Sequence, residues 1–171
     1  MESFLLRQAI TSDAKGIARV RVVTWQSTYL GLIPDFFLQN LNLEQSTVNW
    51  AKRLESSVQS GKTIVAEIDG TIVGYIGIGV SRDLDASDVG ELYTIYVDPE
   101  HQGKGVGSAL IREGIKFLKS ISFNKATLWV FDGNERAIKY YETHGWNPTG
   151  MSKLDKLGDF ELLEIQYAIG F

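Results

Sequence analysis

The chain has 171 residues, 44% hydrophobic and 22% charged, enough for one domain, residues 1–171, with a core of its own. Its net charge of -4 excludes the clustered basic surface that nucleic acid or an anionic membrane requires. The lack of any cysteine excludes disulfides, thiolate metal sites and a cysteine nucleophile.

The first residues, MESFLLRQAI, lack the basic start and long apolar stretch of a signal peptide. No apolar run approaches the roughly 20 residues of a membrane span, so a cytoplasmic protein is expected. Phe4 to Ala9 predicts a short first strand, and Thr11 to Asp13 offer N-caps to a helix whose apolar positions are Ala14, Ala18, Val22, Trp25 and Tyr29. Pro34 suits the start of a short second helix carrying Phe36, Phe37 and Leu41, and a third runs through Val48, Ala51, Leu54 and Val58 to end near Gly61.

From Thr63 the texture changes. TIVAEI and TIVGYIGIGV are β-branched strands joined by Asp69-Gly70, a pair suited to a tight hairpin. Arg82 to Gly90 reads as a polar loop and Glu91 to Val97 as a further strand. An amphipathic helix follows through Val106, Ala109, Leu110, Phe117, Leu118 and Ile121, then a strand from Ala126 to Phe131 and a helix capped by Asn134 and ended by Gly145. Two strands close the chain, around Trp146 to Lys153 and Phe160 to Ile169. This order predicts an α/β protein of the α+β type, a mixed and mostly antiparallel twisted sheet of six to seven strands with helices on its faces.

Between the strand ending at Val97 and the following helix lie three glycines in five residues, Gly103, Gly105 and Gly107. A glycine-rich turn ahead of a helix points to an anion on the helix's first free N–H groups. The spacing is not the G-x-G-x-x-G of a dinucleotide fold, and no βαβ unit opens there. Gly61-Lys62-Thr63 ends like a phosphate-binding loop, but Ser56 stands at its first glycine and a strand follows where a helix should, so it reads as an ordinary connection.

Gln102-x-x-Gly105-x-Gly107, together with Asn134, Ala137, Tyr141, Gly145 and Trp146, resembles the two motifs of the GCN5-related N-acetyltransferases, the GNAT superfamily. The likeness covers Glu91 to Trp146. It implies that the anion is the pyrophosphate of coenzyme A, held by amides between Gln102 and Ser108, with the glycines, Lys104 and Val106 in that stretch. The helix dipole adds about 0.3–1 kcal/mol of preference for negative charge. It also implies that the pantetheine arm lies along main-chain groups of Ile95, Tyr96 and Val97, near Asn134, and that Tyr141 protonates the departing thiolate.

Acetyl transfer further needs a neutral amine. Some branches of the family carry a glutamate at the register of Glu91, working through water as general base; the other reading is a strand-end carboxylate facing solvent. His101 and His144 read as exposed residues, and no ligand spacing suggests a metal. The family's acceptor site implies walls from Trp25, Tyr29, Phe36 and Phe37, with Asp35 suited to a cationic amine; these rings also suit packing on the sheet. The resemblance thus implies direct transfer from acetyl-CoA to a primary amine of a small molecule or peptide. A non-catalytic acetyl-CoA sensor and an ATP-binding enzyme using the same loop stay open. The apolar stretch IQYAIGF at the end, with family analogy, suggests a homodimer.

Overall fold

The computed structural model describes residues 3–56, 61–83, 86 and 88–171, so Val58, the last apolar position expected of the third helix, lies outside them. In chain order the elements are β1 (Leu5–Gln8), α1 (Ala14–Thr28), α2 (Asp35–Gln39), α3 (Leu43–Glu55), β2 (Gly61–Ile68), β3 (Thr71–Val80) and β4 (Gly90–Val97). They continue with α4 (Val106–Ser120), β5 (Lys125–Phe131), α5 (Glu135–Thr143), β6 (Asn147–Leu157) and β7 (Phe160–Gly170). Among the described residues seven strands form one sheet in the order β1-β2-β3-β4-β5-β7-β6, in which β4 and β5 alone are parallel neighbours. This is the mixed, mostly antiparallel sheet expected from the order of elements.

Local chemistry explains several boundaries. Asp69 and Gly70 both have positive φ, 47° and 78°, the twist that closes the β2–β3 hairpin tightly. Asn134 caps α5 by accepting from the amide of Ala137 at 3.1 Å, and Gly145, at φ 85°, ends it. The start of α1 differs from expectation. Thr11–Asp13 form a 3₁₀ turn, and Asp13 accepts from the amide of Ile10 and from Arg7 instead of capping α1. Gly61, Lys62 and Thr63 are not a connection but the first residues of β2, which starts two residues before the expected Thr63.

The sheet is covered on both faces. A larger core holds Leu110 and Leu118 of α4, Tyr141 of α5, Trp146, and the strand residues Ile76, Leu92 and Leu128. A smaller one packs Ile17, Ala18 and Val20 of α1 and Trp50 of α3 against Val65 and Tyr75. Tyr167 belongs to the larger core, and Ile165, Ile169 and Phe171 of the C-terminal stretch pack against it, partly buried. Among the described residues no helix is long and apolar enough to cross a membrane.

What positions the site is a fork in the middle of this sheet. β4 and β5 pair only where Gly90–Leu92 face Ala126–Leu128, yet β4 runs on to Val97 and β5 to Phe131. Along its other edge β4 stays paired with β3, with a bulge that leaves Tyr93 between the pairs Leu92–Ile78 and Thr94–Gly77. A bulge adds local twist, which turns the far half of β4 away from β5.

Candidate active site

A cavity of about 550 Å³ fills the fork. One wall is β4 itself, with Thr94, Ile95, Tyr96 and Val97 lining it past the point where pairing to β5 stops. Main-chain groups on that edge are free of the ladder to β5, so an extended ligand can add to the strand. At the strand's end Asp98 accepts from the amide of Glu100 and so starts a 3₁₀ turn, Pro99–His101. Gln102 then reaches back from the turn, its Nε2 donating to the carbonyl of Val97 at 2.9 Å.

Gly103 and Gly105 have φ of 73° and 86°, and a Cβ on either would meet nothing within 4 Å. Backbone conformation, not crowding, therefore selects glycine there, and the turn stands open with the first amides of α4 behind it. Gly107 has a different reason: its Cβ would come within 2.8 Å of the Tyr140 hydroxyl. Ser108, next along α4, is tied to α5. His144 Nδ1 lies 2.7 Å from the Tyr140 carbonyl, which can only accept, so Nδ1 carries the proton and Nε2 accepts from the Ser108 hydroxyl at 2.8 Å. The helix that presents the glycine turn is thereby fixed against the helix that carries Tyr141.

Tyr141 lies at the meeting point of the two arms. It is only 8% exposed, packs edge-on to Trp146, and lines the cavity. Burial, reinforced by Tyr29, Tyr96 and Tyr140, holds its phenol above the ordinary range, so it is a proton donor at neutral pH and not a base. Asn134 lines the same space.

The opposite wall is made by α1 and the strands beyond the fork. Trp25 and Tyr29 lie one helical turn apart with ring centroids 4.9 Å from each other, and Trp25 Nε1 donates to the Tyr96 hydroxyl at 2.9 Å. Burial, with the nearby Tyr96 adding to it, likewise pushes the Tyr29 phenol up. The strands add Trp129 and Phe131 of β5, Asp155 of β6 and Glu164 of β7 to this wall. Thus a bare strand edge, a glycine turn at a helix start and a buried phenol converge on one cavity, with aromatic and acidic groups on its far side.

A family model for the acetyltransferase (GNAT) family matches residues 25–146. The chain belongs to the GNAT acetyltransferase family. It is 33% identical to the uncharacterized N-acetyltransferase YuaI of Bacillus subtilis, over 79% of this chain and 76% of that protein. To the L-amino acid N-acetyltransferase AaaT of Escherichia coli it is 28% identical over 98% of this chain and 97% of the relative. Its fold is shared with the PaiA N-acetyltransferase of Thermoplasma acidophilum, solved in complex with coenzyme A, with a TM-score of 0.73, 18% identity and 99% of each chain covered.

The two GNAT motifs come together in space, since Gln102, Gly103, Gly105, Gly107 and Ser108 line the same cavity as Asn134 and Tyr141. Ile95, Tyr96, Val97, Trp25 and Tyr29 line it as well, although the Val97 carbonyl already accepts from Gln102 and from Thr24 Oγ1 at 3.3 Å. Val106 does not, because its side chain is 1% exposed in the larger core. Lys104 is exposed on the turn, outside the lining.

Two expectations about the acceptor side need correction. Phe36 is 57% exposed, with its ring centroid 3.9 Å from that of Phe37, and is not part of the cavity lining; Leu38 is the residue α2 buries. Asp35 is exposed beside it; the acids that line the cavity are Asp155 and Glu164. Glu91 is neither solvent-facing nor part of the lining. It is 1% exposed, with Oε2 accepting from the Arg82 amide at 2.7 Å and Oε1 from Arg82 Nη2 at 2.5 Å. Arg82 in turn lies over the Tyr93 ring.

Trp129, Asp155 and Glu164 were not singled out from the sequence. The signal for Glu164 is the alternation along β7, where Glu164 and Gln166 share one face while Ile165 and Tyr167 occupy the core face.

Proposed function

We propose that the chain transfers an acetyl group from acetyl-CoA directly to a primary amine of a small molecule or peptide. The observation that carries this reading is the position of the Tyr141 phenol, in the fork where the unpaired edge of β4 meets the glycine turn. The fit to the donor is chemical as well as spatial. The open turn and the first amides of α4 suit a diphosphate, and the edge at Ile95 and Tyr96 suits an amide-bearing chain.

In this mechanism the acetyl donor is a substrate, and the residues of the chain position and protonate. Gly103 and Gly105 let the turn's amides converge on the diphosphate, while Gln102 holds that turn to the end of β4. β4 aligns the arm so that its sulfur lies beside Tyr141. Tyr141 gives its proton to the departing sulfur; the burial that raises the phenol also raises a thiolate forming beside it, so solution acidities do not set the direction of this transfer. With no cysteine in the chain, direct attack by the amine replaces a thioester intermediate on the protein.

The test is thiol release from acetyl-CoA with putrescine, alaninamide and alanine as amines, the last prompted by the relative whose name gives L-amino acids as its substrates. Turnover is expected, with Tyr141→Phe lowering kcat by about 10²–10⁴-fold, the range of general acid catalysis, at unchanged coenzyme A affinity. Coenzyme A binding without turnover on any of these amines would move the chain to a sensor role.

A further inference from the structure

We propose that Glu164 receives the acceptor's ammonium group and takes its proton, serving as the general base in a cavity where Glu91 is committed elsewhere. This rests on the acetyltransferase reading and assigns the residue that reading leaves unfilled.

Glu164 pairs in register with Phe131 of β5 on one side and with Lys153 of β6 on the other. Residues directly opposite in an antiparallel pair project from the same face, which sets its carboxylate beside a cavity wall. It lines the cavity together with Trp25 and Tyr29, and its charge acts on the Tyr29 phenol. Its side chain is 23% exposed, sheltered enough for a proton transfer to matter and open enough for an amine to reach it.

The chain's own ammonium marks the place. Lys153 Nζ lies 3.5 Å from Glu164 Oε2 and 4.1 Å from the centroid of the Trp129 ring, which also lines the cavity. A carboxylate and a tryptophan face are the two groups that hold a cationic amine. Lys153 sits on an exposed edge strand, so its long side chain can yield one of those contacts to a ligand.

The charged and titratable groups facing Glu164 are Lys153 and Asp155 of β6, Arg82 before β4, and Tyr29 at the C-terminal end of α1. Burial holds its carboxyl above the ordinary range and Asp155 adds to this, while Lys153 and Arg82 oppose it. A carboxylate so placed is a better base than a solvated one.

In the reaction, the ammonium loses one proton to Glu164. The freed lone pair attacks the thioester carbonyl, a C–N bond forms and the C–S bond breaks. The sulfur takes a proton from Tyr141, the second nitrogen proton refills the phenol, and Glu164 releases its own to solvent.

The experiment is the pH dependence of kcat/KM for the amine, with putrescine, alaninamide and alanine at saturating acetyl-CoA, using wild type, Glu164→Gln and Lys153→Met, with coenzyme A affinity and thermal melting as controls of folding. Glu164→Gln is expected to lose about a hundredfold or more near neutral pH, within the range for general bases. Its remaining activity should climb about tenfold per pH unit toward the amine's own pKa, since only free amine then reacts. Lys153→Met removes a positive neighbour, favours the protonated carboxyl and should move the acid limb to higher pH.

Glu164→Gln with wild-type kcat/KM overturns the assignment while leaving the enzyme reading intact. A damaged Glu164→Gln with an unmoved acid limb in Lys153→Met overturns it too, as a structural role. Coenzyme A binding by the wild type without turnover on any of the three amines overturns both readings together.

Discussion

The two walls of the fork are built in opposite ways. The wall suited to the acyl donor comes from neighbouring pieces of chain: β4, the glycine turn and α4, closed by α5 a short distance on. The facing wall joins α1, near the N-terminus, to β6 and β7, at the other end of the sequence, with β5 between them. A site made of adjacent elements holds its geometry through short connections and local bonds, as Gln102 to Val97 and Ser108 to His144 do here. A site made of distant elements depends on the packing of the whole sheet. The first kind tolerates little change in its backbone, and the second can change its side chains one at a time.

This contrast also explains what was legible in the sequence. The hairpin at Asp69-Gly70, the Asn134 cap and the left-handed glycines at 103, 105 and 145 are each dictated by backbone chemistry within a few residues, and each is found in place. The fork was not legible, because where β4 and β5 part is a property of two strands separated by a helix, and the bulge at Tyr93 shows only in the pairing. The fate of Glu91 was equally hidden, since it depends on Arg82 folding back from the preceding connection. Phe36 failed for a related reason. An aromatic residue beside another in a short helix has two faces to choose from, and residue type does not select between them.

Changes on the donor wall should therefore be severe and confined to coenzyme binding. Gly105→Glu puts a side chain where φ is 86°, at a cost of about 1–3 kcal/mol, and sets a negative charge toward the diphosphate. Apart from its own chain neighbours, no described residue places an atom within 4 Å of the new Cβ, so the protein should fold. Coenzyme A affinity, read by calorimetry, should drop about ten- to a hundredfold, equivalent to about 1.4–2.8 kcal/mol. Wild-type affinity in this variant would place the diphosphate elsewhere.

On the acceptor wall a single change should do less and spare the donor. Trp25→Phe keeps a ring near Tyr29 but removes the hydrogen bond from Trp25 Nε1 to the Tyr96 hydroxyl. A neutral bond of this kind is worth about 0.5–1.5 kcal/mol. KM for the amine should rise about three- to tenfold while coenzyme A affinity stays constant. Steady-state kinetics with each substrate varied in turn measures both, and a loss confined to coenzyme A would show that α1 belongs to the donor wall instead.

The smallest effect concerns how α1 is anchored. Arg7 binds Asp13 through two hydrogen bonds of 2.6 and 2.8 Å at the turn just before α1. That bond holds the Asp13 carboxyl below its ordinary range, with burial opposing. Because the folded pKa is the lower one, the stabilisation is complete above the ordinary carboxylate value of about 3.9 and is lost as pH falls through the folded value. Asp13→Asn should cost about 1 kcal/mol at neutral pH, hence about 2–4 °C in melting temperature for a chain of this size. The gap to wild type should narrow as the pH falls below about 4 and close once it is below the folded value, where both carry a neutral group at position 13. A gap that persists in acid would mean that Asp13 acts by shape through the Ile10 amide, and that the charge of Arg7 contributes nothing to holding α1 against the sheet.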